Sequence, residues 1–440
     1  MILSFQALAI TIADTVADWT GMLNRPITAA SVISRARSVT GLTDFGDLEI
    51  IEPLERLLDA CVSESHLSLI GRLATRWDMV RFLSNLLRMQ AAEQAEPRIL
   101  KQQITRPIII TGLPRSGTTF LHRLMLEDPS NRAPLVWETI YPFPDEPGSG
   151  RRAGTRPARV ARQLRAFEAL APDFRALHPM EATSPQECSE ITAHVFRSLR
   201  FDTNYHIPSY RGWLDGDPAH NLPAYRFHKR FLRHLAYQDP PSLIDRRWVL
   251  KCPEHLFALD AIRAVYPDAR LVFVHRDPVK VLASQARLTE VLRRPFTRSL
   301  NLIGLGQHES TRWLDGTRRM MAAGDDAGLP DPVCHIHHLD LISDPVATVA
   351  SVYSHFGDEL PGQAASAIAR YVAARPNGGY GQHRYQLEDH GLDPAVEQER
   401  FRPYMLHFGI EPETGGRLPR SMPVPVPAAE APVEGLVSDR

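Results

Sequence analysis

Cysteine is scarce in this chain of 440 residues, with four copies at positions 61, 188, 252 and 334. No two lie in a CxxC pair, so neither a disulfide framework nor a cysteine zinc site is expected, and reduced thiols fit a cytoplasmic protein. An excess of charge of one sign is also missing. Fifty Lys and Arg stand against 51 Asp and Glu, a net charge of −1. That balance excludes a globally basic nucleic-acid binder and an acidic solvating chain, while leaving room for a local basic pocket. Long apolar runs are absent as well: no uncharged stretch reaches the ~20 residues that span a bilayer. The apolar start, Met1 to Val16, has no basic region ahead of it and is interrupted at Asp14 and Asp18. It reads as an amphipathic helix, not a secretory signal.

What is present is ordinary globular composition, 43% hydrophobic and 23% charged, in a chain long enough for two or three compact units. Residues 1–100 read as a helical N-terminal subdomain, with Leu54, Leu57, Leu58 and Cys61, then Leu67, Ile70 and Leu73, at helical spacing. Residues 101–410 alternate strand and helix. The run Arg106–Gly112 is short, β-branched and closed by glycine, as a buried parallel strand would be. Arg247–Lys251 and Arg270–His275 read likewise, each running into a Pro-opened helix at Pro253 or Pro278, and Val333–Leu339 is a weaker strand. Residues 151–240 read as a mostly helical insertion. Residues 411–440 are Pro- and Ala-rich and read as a disordered tail. The expected fold is α/β: a P-loop-like parallel sheet flanked by helices, with the helical N-terminal subdomain and helical insertions.

The most specific segment is Gly112-Leu-Pro-Arg-Ser-Gly-Thr-Thr119, between a strand and a helix. Glycines there let backbone N–H groups converge on an anion, and the helix adds its positive end. Gly112 and Gly117 keep the Walker A spacing, but Thr118 stands where a nucleoside-triphosphatase carries its Lys. The cation is Arg115, inside the loop. A tight turn that binds nothing and an Mg-dependent kinase or NTPase are the rival readings.

GLPRSGTTFLH resembles the 5′-phosphosulfate loop of sulfotransferases that use 3′-phosphoadenosine 5′-phosphosulfate (PAPS), and its Arg resembles the bacterial branch of that superfamily. The resemblance implies that Arg115, Ser116, Gly117, Thr118 and Thr119 bind the phosphosulfate. It implies a 3′-phosphate site in Leu271–Ser284, on Arg276 at a strand end and Ser284 two helical turns on. A third segment, Arg375–Tyr385, keeps a GxxG spacing at Gly378 and Gly381 without the family's intact basic pair, which leaves nucleotide contacts by Arg375 or Arg384 open. PAPS is the implied co-substrate, and no metal is expected. The implied reaction moves a sulfuryl group to an acceptor hydroxyl, or an amine, of a small molecule, lipid or carbohydrate. A non-catalytic nucleotide-binding protein is the other rival.

Such a transfer needs a base for the incoming hydroxyl and positive charge at the leaving oxygen. Lys251 ends its strand, and with Arg115 it is expected to stabilise that oxygen; a salt bridge to Glu254 is the bland alternative. His255 resembles the family's histidine, with two extra residues after the Lys, and is the preferred base. Glu187 and Glu190 are reserves, although Ser184-Pro-Gln-Glu187 also reads as a capping box. His122 reads as a packed histidine. The Arg run from Arg151 to Arg165 reads as a solvated helix face, and Tyr205, Tyr210, Trp213 and Tyr225 as either pocket wall or core.

Overall fold

The computed structural model describes residues 14–21, 23, 25–143, 155–240, 245–324, 328–375 and 386–413. Its centre is a five-stranded sheet, β1 (Ile108–Gly112), β2 (Asn131–Arg132), β3 (Arg247–Lys251), β4 (Arg270–His275) and β5 (Cys334–His337). The order is β2-β3-β1-β4-β5, and every pairing is parallel. The expected strands are all there; β2, two residues long, carries no sequence signal and was not foreseen.

Burial on both faces explains the continuous apolar runs. Ile108, Ile110, Val249, Val272 and Val274 pack on one side against Leu121, Leu124, Val349 and Val352. Ile109, Leu250, Leu271 and Phe273 point to the other side, into a larger core with Phe82, Phe196, Phe231 and Trp313. Successive residues alternate faces because the strand period is two.

The N-terminal helices, Ala29–Thr40, Ile51–Ser63 and Leu69–Ala95, contribute Val32, Leu57, Phe82 and Leu86 to that same larger core. Between β2 and β3 the described residues are mostly helical, the last of these helices being the amphipathic Leu222–Gln238. Tyr205, Tyr210 and Tyr225 are core residues here, and half-buried Trp213 stacks on His220. In the helix Arg156–Leu170, Arg156 lies over the Trp137 ring and Arg159 over Tyr141, so part of the arginine run packs on aromatics instead of facing water. Arg151 and Arg152, Arg384 and most of the Pro-rich tail lie outside the described residues, and Arg375 rests over the Tyr371 ring.

Strand order decides where a ligand site can form. The chain leaves β1 toward β2 and β3 on one side, then returns to β4 and β5 on the other. Ligands of open α/β sheets lie beyond the strand ends where the order reverses. Gly112 and Arg276 both stand at that edge.

Candidate active site

The turn after β1 is shaped by its glycines. Gly112 adopts φ +142°, and a Cβ there would sit 2.3 Å from the Val274 carbonyl oxygen on the neighbouring strand. Gly117 adopts φ +105° and caps the helix Thr118–Met125 with its backbone alone. Arg115 also takes positive φ, +62°, an uncommon state for a non-glycine residue. Ser116 closes the turn, its Oγ donating to the Leu113 carbonyl at 2.6 Å. Just past β5, at the start of the helix His338–Ser343, His338 Nδ1 meets the Ser116 carbonyl at 2.9 Å. The backbone N–H groups of this turn lead into a helix start, an arrangement suited to an anion.

The cations beside the turn are placed from two other strands, Lys251 at the end of β3 and Arg276 just after β4. Lys251, buried at the end of β3, extends its Nζ to Thr119 Oγ1 at 3.1 Å and to Glu187 Oε1 at 2.5 Å. Glu187 reaches it because the insertion is stitched to the sheet edge on both sides of that residue. Gln186 N donates to the Pro134 carbonyl at 2.8 Å, and Cys188 N to the Lys251 carbonyl at 3.1 Å. The Lys251 ammonium holds the Glu187 carboxyl below its usual range against the opposing effect of burial. The capping box read at Ser184–Glu187 is not formed: Ser184 Oγ accepts from Glu181 N, and Glu187 Oε1 accepts from Lys251 Nζ. Nor does Lys251 pair with Glu254, which instead accepts from Arg312 at 3.0 Å.

Arg276 and Ser284 stand on the β4 side. Arg276 Nη1 donates to the Arg115 carbonyl at 2.7 Å, and Arg115 Nε to Ser284 Oγ at 3.1 Å. The loop expected to hold one phosphate and the pair expected to hold the other are therefore in direct contact through Arg115. A cavity of about 380 Å³ opens beside Arg276, walled by His275, Asp277, His337 and His338.

The remaining candidates are not at this junction in the same way. His255 is buried in the 3₁₀ turn Pro253–Phe257, with Nδ1 2.5 Å from the Tyr225 hydroxyl and Nε2 without a partner among the described residues. Burial drives its pKa far below 6.5, so the ring is neutral. Glu190 is buried between Arg81 Nη2 at 2.7 Å and Arg200 Nε at 2.8 Å. His122 is buried against the Val249 carbonyl and pushed down to about 3, a packed histidine. One neighbour was missed. His178 is half-buried within electrostatic reach of Glu187, Lys251 and Arg115, and burial lowers its pKa to about 4. No motif marks it; the neighbouring Pro179 carbonyl, held by Arg123 Nη2 at 2.9 Å, is what brings the segment in.

A parallel α/β sheet with a glycine-shaped βα turn, flanked by lysine and arginine at its carboxyl edge, defines a P-loop-like fold with a turn suited to an anion. The sequence model of the sulfotransferase family matches residues 107–361, and the chain belongs to that family. Among curated proteins it is similar to the omega-hydroxy-beta-dihydromenaquinone-9 sulfotransferase Stf3 of Mycobacterium bovis and of Mycobacterium tuberculosis. Each is 24% identical over 263 residues, 57% of this chain and 62% of the relative. The match thus covers less than two thirds of those relatives' length. Among solved structures, sulfotransferase STF1 from Mycobacterium tuberculosis is 32% identical with a TM-score of 0.73, covering 86% of this chain and 99% of that one. Sulfotransferase STF9 from Mycobacterium avium is 25% identical with a TM-score of 0.76, covering 87% and 97%. Among the described residues no helix is long and apolar enough to cross a membrane.

Proposed function

We propose that the chain transfers the sulfuryl group of PAPS to the hydroxyl of a lipid-like alcohol. Membership of the sulfotransferase family supports a sulfate donor, and the two linked cationic sites support a donor bearing phosphates at both ends. The turn Arg115–Thr119 takes the 5′-phosphosulfate on its N–H groups. Arg276 supplies a guanidinium fork and Ser284 a hydroxyl for the 3′-phosphate, with Arg115 between the two. The acceptor class follows the mycobacterial relatives, whose names specify an omega-hydroxy menaquinone derivative.

The observation that carries the mechanism is the contact of one ammonium, Lys251, with both the loop residue Thr119 and the carboxylate of Glu187. Glu187 is the base we assign. It accepts the proton of the acceptor hydroxyl while that oxygen attacks sulfur, and the bond from sulfur to the bridging phosphate oxygen breaks in line. Lys251 faces the oxygen on which negative charge builds, where a fixed cation is worth most. Adenosine 3′,5′-bisphosphate leaves. His255 and Glu190 are not assigned this role. One is bonded to Tyr225 inside the core, and the other is occupied by two guanidinium groups.

Calorimetric titration with adenosine 3′,5′-bisphosphate, compared with ATP plus Mg²⁺, tests the donor. The bisphosphate is expected to bind, and Arg115→Ala and Arg276→Ala each to weaken it by ~1.5–3 kcal/mol, as loss of a charged hydrogen bond does. Unchanged affinity in both variants removes the assignment. For the base, Glu187→Gln should lower kcat by roughly 10²–10⁴ with nucleotide binding retained, and His255→Gln by much less. The reverse order would return the role to His255.

A further inference from the structure

The last described residues come back to the phosphate side of the sheet. The helix Pro394–His407 ends at Phe408, whose ring stacks on His275 with centroids 4.2 Å apart. Gly409 turns with φ +63°, and Ile410 N bonds the Met405 carbonyl at 2.8 Å. The chain then runs along the wall of the cavity beside Arg276, which Gly409, Ile410, Glu411 and Glu413 help to form. At Glu413 it is fastened twice. The backbone N–H donates to Asp277 Oδ2 at 2.8 Å. The carboxylate receives Arg276 Nε at 2.7 Å and Nη2 at 3.0 Å. Because Asp277 holds the backbone, the carboxylate is aimed at that fork and does not merely find it. The third nitrogen group of Arg276, Nη1, is already on the Arg115 carbonyl.

We infer that Glu413 is a built-in competitor of the donor's 3′-phosphate: its carboxylate holds the Nε and Nη2 edge of Arg276 until a 3′-phosphorylated nucleotide displaces it. This rests on the reading of Arg276 as the 3′-phosphate anchor. A planar carboxylate and two oxygens of a phosphate engage the same guanidinium edge, so the two cannot occupy it together. Glu413 then sets the affinity of the site for the donor. It also hastens departure of the bisphosphate product, which carries the same 3′-phosphate.

The test is titration of the full chain and its Glu413→Gln and Glu413→Ala variants with adenosine 3′,5′-bisphosphate and with adenosine 5′-phosphate. Removing a half-buried bidentate competitor should tighten the bisphosphate roughly tenfold in both variants. Adenosine 5′-phosphate, lacking the 3′ group, should bind all three proteins alike. Equal tightening of both nucleotides would make the segment a simple steric cover and overturn the inference. So would unchanged or weaker bisphosphate binding in the variants while Arg276→Ala still weakens it, and then the cofactor reading would survive. If Arg276→Ala binds the bisphosphate as the parent does, the cofactor reading itself has failed and this inference falls with it. The thermal midpoint of each variant is measured alongside, and the Ala variant guards against Gln retaining a bond to Arg276.

Discussion

Glu254 follows Lys251 by three residues, and its carboxyl is buried beside two others of its charge. Burial pushes its pKa up to about 7; Arg312 opposes that shift, and the Glu187 charge adds to it. The group therefore changes charge near neutrality, next to the carboxylate proposed as base, Glu187, which does not. Glu187 is ionised well below neutral pH. The pH–rate profile should accordingly show a limb close to pH 7. That limb should vanish in Glu254→Gln, which still offers Arg312 an acceptor. Stability carries the same signature. A carboxyl whose folded pKa is raised binds more protons folded than unfolded, so stability falls as pH rises from its ordinary 4.5 toward 7. The thermal midpoint of Glu254→Gln should decline less than that of the parent over that interval. Parallel declines and an unmoved limb would show that Glu254 is ionised throughout.

The turn between β1 and its helix depends on backbone freedom more than on any side chain. Gly112→Ala would drive a Cβ to 2.3 Å from the Val274 carbonyl, backbone that cannot swing aside. Overpacking of that kind costs ~1–3 kcal/mol, and relief requires β1 and β4 to part where both proposed phosphate sites begin. The expected result is a lower thermal midpoint together with at least tenfold weaker binding of adenosine 3′,5′-bisphosphate. Gly212→Ala is the control: none of the described residues lies within 4 Å of its Cβ, and a helix interior gains up to ~1 kcal/mol from the change. If both substitutions behave alike, the turn does not need its glycine. This element was legible in the sequence because its chemistry is local, a glycine-spaced loop between an apolar run and a helix. The strands β1, β3 and β4 were legible for a related reason, since burial on both faces leaves unbroken apolar text. The partner of Lys251 was not legible. Glu187 lies 64 positions away, and only the docking of the insertion on the end of β3 joins them. The helix opening read at Pro253 is a 3₁₀ turn, which carries His255 inward to Tyr225. Spacing alone places a histidine near a strand end; it does not say which way the ring faces.

Across the molecule, the N-terminal helices and the sheet share one apolar core, and a buried ionic cluster joins them to the insertion. Asp78 and Arg81, from the helix Leu69–Ala95, meet Glu190 and Arg200. Arg81 contacts Asp78 at 2.8 Å and Glu190 at 2.7 Å; Arg200 contacts Asp78 at 3.2 Å and Glu190 at 2.8 Å. Two carboxylates and two guanidiniums balance, with every pair substantially shielded from water. The cluster's net contribution is modest because all four charges were desolvated to form it, but removing one member leaves an uncompensated buried charge. Glu190→Gln should therefore destabilise the whole chain by ~3–5 kcal/mol, read as a shift in the denaturant midpoint. The fraction that remains folded should bind adenosine 3′,5′-bisphosphate with the parent's Kd and turn over with nearly the parent's kcat. A variant of normal stability that had lost its kcat would instead make Glu190 a catalytic base. The arginine pair would then be tuning its carboxylate, and the N-terminal helices would belong to the chemistry as well as to the core.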